Sequence, residues 1–160
     1  MQDIELHHWP VGKLIPYGRN PRKNDHVIEQ MAGAIQEFGF RIPIIAKSTG
    51  EICDGHLRYK AALHLGLEQV PVILADDLTE TQIKAFRILV NRSATWADWD
   101  EDLLRLELEE LKLDDFDLAL TGFDDDELLE IMAGEETTTE GNTDEDAAPE
   151  VPVTPVRSEE

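Results

Sequence analysis

A chain of 160 residues with 41% hydrophobic content can build one modest core plus extensions, and a formal net charge of -21 at pH 7 argues against a protein that grips nucleic acid over its whole surface. Its single cysteine, Cys53, excludes an intramolecular disulfide, and no apolar run approaches the roughly 20 residues needed to span a bilayer. Nothing at the N-terminus resembles a signal peptide, so a cytoplasmic protein without membrane contact is expected.

The charge is unevenly placed. Residues 1–75 hold eight Lys/Arg and eight Asp/Glu, whereas residues 76–160 hold six and twenty-seven, so the excess acid is C-terminal. An opening strand is expected to end in Leu14-Ile15-Pro16. Residues 12–24 then carry four cations, Lys13, Arg19, Arg22 and Lys23, and no acid. With Asn20 they form a candidate nucleic-acid-binding loop, where a DNA or nucleotide phosphate meets locally favourable charge; the plainer alternative is a solvated basic loop.

In residues 26–38, Ile28, Met31, Ile35 and Phe38 recur at helical spacing, with Asn24 or Asp25 as the cap and Gly39 as the stop, which predicts a core-facing helix. Residues 42–46 and 52–54 flank Ser48-Thr49-Gly50 and read as a hairpin, with Cys53 a buried, inert thiol in its second strand.

The segment 52–62, ICDGHLRYKAA, takes a short apolar strand through Gly55 straight into a helix. The first backbone N–H groups of a helix lack intrahelical partners and the helix dipole adds positive charge there, so an anion is favoured. Gly55 permits positive φ or close approach, and Arg58 offers a planar fork that fits two phosphate oxygens. His56 is a donor to an anion or, less commonly, a general acid or base, and Asp54 is the leading catalytic carboxylate with Glu51 next. His7, His8, His26 and His64 lack metal-ligand spacing with Cys53, so no metal site is expected. Gly66 ends this helix and residues 70–74 form a buried strand. Strand, helix, hairpin, helix, strand describes a compact α+β domain.

Beyond Asp77 the periodicity is helical. Thr79 with Gln82 reads as a capping box, and Ile83, Phe86, Leu89 and Val90 give one apolar face of a helix that ends near Asn91. Trp96 and Trp99 suit base stacking, but helix packing is the simpler role. Leu103, Leu104, Leu106, Leu108 and Leu111 mark a further helix with acids outside, and Asp124 with Glu127 opens a last one containing Leu128, Leu129 and Met132. Residues 135–160, rich in Glu, Thr, Asp and Pro, are expected to form a disordered acidic tail or linker. There is no internal repeat and no Gly-Lys-Ser/Thr phosphate loop.

Asn20-Pro21-Arg22, the Gly39-Phe40-Arg41-Ile42-Pro43-Ile44 run, the Asp54-Gly55-His56-Leu57-Arg58 turn with Ala61 and Ala62, and Val70-Pro71-Val72-Ile73 occur in this order. Residues 9–77 thereby resemble the ParB/sulfiredoxin-like fold, that of ParB-type partition proteins and ParB-like nuclease domains. Sulfiredoxins place a reactive cysteine beside the turn histidine, in the slot held here by Gly55. The resemblance implies a nucleotide pocket lined by Gly39, Phe40, Arg41 and Pro43 and by Gly55, His56 and Arg58. A third family motif ending in Asn-x-x-Arg is matched in part by Asn91, with Val90 in place of its acid and Arg92 following directly. Mg²⁺ accompanying a nucleotide is the only cofactor implied, and the missing carboxylate weighs against metal-dependent hydrolysis.

The segment 85–91, then Trp99-Asp100-Glu101 and Leu120-Thr121-Gly122-Phe123, resembles the ParB-like domain that precedes many phage and bacterial DNA methyltransferases. A methyltransferase domain following the linker is the implied partner, although its catalytic motifs are absent from this chain, as is a helix-turn-helix of the partition-protein type. The expected organisation is a domain at 1–77, a helical extension packed on it at 78–134, and a tail at 135–160. The expected function is DNA or nucleotide binding in DNA modification or in phage or bacterial DNA metabolism. The alternative is a ParB-like nuclease or a nucleotide-dependent phosphotransferase or NTPase, and a third reading has the acidic tail imitating DNA against the basic loop.

Overall fold

The structure is a computed structural model and describes residues 3–134. Four strands, β1 (Leu6–Pro10), β2 (Ile44–Ala46), β3 (Ile52–Asp54) and β4 (Gln69–Leu74), form one mixed sheet in the order β1-β4-β2-β3. β1 runs antiparallel to β4, β4 parallel to β2, and β2 antiparallel to β3. Five helices accompany it: α1 (Ile28–Phe38), α2 (His56–Leu65), α3 (Glu80–Ser93), α4 (Glu101–Leu113) and α5 (Asp125–Ala133). The α+β architecture is the expected one.

Alternation along the short strands sends neighbours to opposite faces. Ile44, Ala46 and Ile52 join Trp9, Leu14, Val70, Val72 and Ala62 of α2 in the main core. Ile45 and Cys53 instead meet Ile83 of α3 and Ala75 in a second, smaller cluster. Burial pushes the Cys53 thiol up from its ordinary pKa, in keeping with an inert core cysteine.

Four details differ from the sequence reading. The opening strand is Leu6–Pro10, and Ile15 makes only an isolated bridge to Glu51 after a short 3₁₀ turn. Asn24 and Asp25 do not cap α1, because both side chains accept from the Lys60 ammonium. α1 buries Ala32 rather than Phe38, whose ring stacks at 6.1 Å on Phe116 of the segment after α4. On α3 the buried positions are Ile83 and Arg87, and Leu89 is exposed.

The helical extension rests on α1: Gln30 Nε2 donates to Gly122 O at 3.0 Å, beside the Phe38–Phe116 stack. The capping boxes of α3 and α5 are formed as read, with Gln82 N donating to Thr79 Oγ1 at 3.2 Å and Glu127 N to Asp124 Oδ1 at 2.8 Å. Trp96 and Trp99 are 65% and 67% exposed, and Trp99 only leans on Phe123 at 5.8 Å. Neither is the packing anchor expected among the described residues. The acidic tail at 135–160 lies outside the described residues.

Candidate functional site

The chain leaves β3 through Gly55, which stands at the N-cap of α2 with φ of 106°. Only glycine adopts this conformation without strain. The reason for its smallness is internal: a Cβ here would lie 3.1 Å from Ile44 Cγ1, 3.3 Å from Ile44 Cα and 3.1 Å from Arg58 Nη2.

The Arg58 fork, expected to face an anion, is turned back onto this joint. Its Nη2 donates to Pro43 O and to Asp54 Oδ2, both at 3.1 Å. Arg58 therefore ties α2 to the start of β2, where Gly39, Phe40, Arg41 and Pro43 lie. Phe40 packs on the main core, and Arg41 Nε donates to Phe38 O at 2.7 Å, closing the end of α1 beside Gly39.

His56 is 7% exposed, and its Nε2 accepts a hydrogen bond from the Tyr17 backbone N–H at 3.1 Å. Burial, and then the positive charge of Arg87, lower its pKa from 6.5 to about 4, so the ring is neutral. With its lone pair engaged, it anchors the basic loop onto the first turn of α2. Because the folded pKa lies below the unfolded one, this stability is complete above pH 6.5 and drains away as the pH falls towards 4. Acidification through that window should cost up to about 3 kcal/mol. The check is the urea midpoint followed down that range, and His56→Gln should flatten the dependence.

The loop is fastened at two further points. Lys60, one turn along α2, donates to buried Asn24 at 2.9 Å and pairs with Asp25. Arg22 Nη1 donates to Asn91 Oδ1 at 3.4 Å, and Asn91 Nδ2 donates to Arg87 O at 2.8 Å. Asn20 shapes the turn by accepting from Arg22 N at 3.4 Å. Between loop and helix opens a concavity of about 450 Å³ whose lining includes Asn20, Arg22, Lys23, His26, His56 and Lys60. Arg19 lines a smaller neighbour. Lys13 stands elsewhere, its ammonium 3.8 Å from the Trp9 ring centroid.

The structure thus gathers Asn20, Arg22 and Lys23, expected to bind nucleic acid, around the same concavity as His56, expected in a nucleotide pocket, with Asn91 bonded to Arg22; Tyr17, Lys60 and Arg87 were not among the expected site residues. Two signals were available. Lys60 follows His56 by four residues, hence on the same helix face, and Arg87 follows Ile83 by four, interrupting an apolar stripe.

Both candidate carboxylates are engaged, Asp54 with Arg58 at 3.1 Å and Glu51 with Arg87 at 2.6 Å. No group of three His, Cys, Asp or Glu residues able to hold a metal ion occurs among the described residues. This donor set does not fit a resident Mg²⁺, which needs free carboxylate or phosphate oxygens.

Residues 1–91 match the family model of the ParB N-terminal domain. Residues 102–159 match the model of the ParB-methyltransferase HTH domain, a stretch in which the sequence reading found no helix-turn-helix and of which 135–159 lie outside the described residues. The ParB-like nuclease domain-containing protein YnaK of Escherichia coli K12 is 33% identical over 82 residues, 51% of this chain and 94% of that one. The chromosome-partitioning protein Spo0J of Thermus thermophilus is 31% identical over 87 residues, covering 51% of this chain but only 32% of its own length. Among solved structures, the C-terminally truncated chromosome-partitioning protein ParB from Caulobacter crescentus, complexed with CTP-gamma-S, aligns with a TM-score of 0.60 at 20% identity over 85% of this chain and 89% of that one. At that identity the likeness speaks to the fold.

Proposed function

The chain belongs to the ParB N-terminal domain family, and from that premise we propose that it binds a nucleotide in the concavity between its basic loop and α2, in the service of DNA modification or of phage or bacterial DNA metabolism. The observation that carries this reading is the joint lining of one nucleotide-sized space by Arg22, Lys23 and Lys60 beside the first turn of α2, in a protein whose charge is otherwise acidic. The ParB of Caulobacter crescentus that shares the fold was solved with a CTP analogue, which supports a pyrimidine nucleoside triphosphate as the first ligand to try. The engagement of Asp54 and Glu51 by guanidinium groups favours binding over hydrolysis. A role beside a methyltransferase is supported by the description of the second matching model.

Isothermal titration with CTP, ATP and a short duplex at low salt tests the proposal. CTP or ATP should bind, and the double variant Arg22→Ala/Lys23→Ala should weaken that binding about thirtyfold, since each lost cation–phosphate bond is worth roughly 1 kcal/mol. No nucleotide heat from the wild type, or an unchanged affinity in the variant, sinks it. Binding by the duplex alone would move the assignment to DNA phosphate.

A further inference from the structure

Tyr17 borders two concavities. On one side lies the space between loop and α2; on the other lies a smaller one of about 210 Å³, lined by Tyr17, Arg19, Pro21, Lys84, Arg87 and Ile88. Three of these six are cations and none is an acid. The walls made by Tyr17, Pro21 and Ile88 are largely apolar, and such surroundings strengthen the pull of the neighbouring charges.

The decisive member is Arg87. It is 4% exposed, and its guanidinium lies 3.5 Å from the Tyr17 ring centroid. One nitrogen, Nη2, makes both of its hydrogen bonds, to Glu51 Oε1 at 2.6 Å and to Ile52 O at 3.1 Å. Nε is buried without a hydrogen-bond partner among the described residues. A buried donor on a permanent cation is costly to leave unbonded, so the arrangement lacks an acceptor. Glu51, itself half-exposed on β3's approach, is already used by Nη2. Lys84 and Arg19 stand at the rim as further donors, and the volume suits one tetrahedral oxyanion rather than a whole nucleotide.

We infer that this second concavity binds a phosphate group, gripped by Lys84 and Arg19 at its rim with Arg87 at its back. The site is separate from the proposed nucleotide concavity and stands or falls independently of it. The phosphate comes either from a DNA backbone or from a free polyphosphate, and the two are told apart by probe.

The experiment is an amide shift titration of the full chain with pyrophosphate and, separately, with a short DNA duplex at low salt. The amides of Lys84, Arg87, Ile88 and Tyr17 should shift saturably with pyrophosphate, with the duplex, or with both, and the responding probe names the source. Lys84→Ala and Arg19→Ala, both exposed substitutions that leave the core intact, should each weaken that response about fivefold. Lys112→Ala, an exposed substitution on α4 that lines neither concavity, should leave it unchanged. If neither probe moves the Lys84–Ile88 amides, or if Lys84→Ala leaves their titration as it was, the inference is overturned. Shifts confined to Arg22, Lys23 and the first turn of α2 would overturn it while upholding the nucleotide concavity.

Discussion

Glu51→Ala should destabilise the fold by about 2–4 kcal/mol, read as a lower urea midpoint with an unchanged slope. The substitution removes the carboxylate 2.6 Å from a guanidinium that is 4% exposed, leaving a buried charge with one carbonyl acceptor and an aromatic face. The effect belongs to the stranded cation, not to the lost pair. Glu51→Ala combined with Arg87→Met should therefore recover much of the loss, because an apolar side chain of similar length tolerates the site once no charge remains. Asp25→Ala is the control: it breaks an ion pair whose carboxylate is 82% exposed, and should change the midpoint by well under about 1 kcal/mol. A Glu51→Ala protein as stable as wild type would show that Arg87 draws its compensation from elsewhere.

Gly55→Ala should cost about 2–3 kcal/mol and abolish nucleotide binding along with it. A left-handed backbone alone penalises an L-residue by roughly 1–2 kcal/mol. At φ of 106° the new methyl would also press on Ile44 Cα at 3.3 Å, where backbone rather than a side-chain tip must give way. Gly66→Ala, at the other end of α2, separates the two terms. Its φ is 68° and nothing lies within 4 Å of the added atom, so only the conformational penalty applies and binding should persist. Equal midpoints for the two variants would show that the Ile44 contact carries no weight. Retained binding in a folded Gly55→Ala protein would separate that joint from function.

Local chemistry explains what could be read in advance. The capping boxes at Thr79 and Asp124, the glycine stops at Gly39 and Gly66, and the strand-to-helix turn at Gly55 are each decided within a few residues, and each was legible. The fate of Arg58 was not. Whether its fork meets an anion or turns back depends on Pro43 O, fifteen residues away, a proximity that exists only once β2 lies beside β3. Arg87 was hidden for the same reason. A cation in an apolar stripe is unfavourable until Glu51, Ile52 O and the Tyr17 ring converge on it from two other segments. The cap expected at Asn24 failed because a longer-range partner, Lys60, took its oxygen first. Position along the chain shows which groups are present; the partners they choose are set by strand pairing.

The sheet order also fixes a schedule for synthesis. β1 finds its hydrogen-bonding mate only in β4, with Leu6 opposite Ile73, and β2 likewise pairs in parallel with β4 from Ile44 opposite Val72. On the ribosome, the first strand must wait with an open edge while more than sixty further residues emerge, so the sheet closes late and in one step. A nascent chain arrested before Val70 would expose β1 and the β2–β3 hairpin as unpaired edges, the species from which aggregation starts.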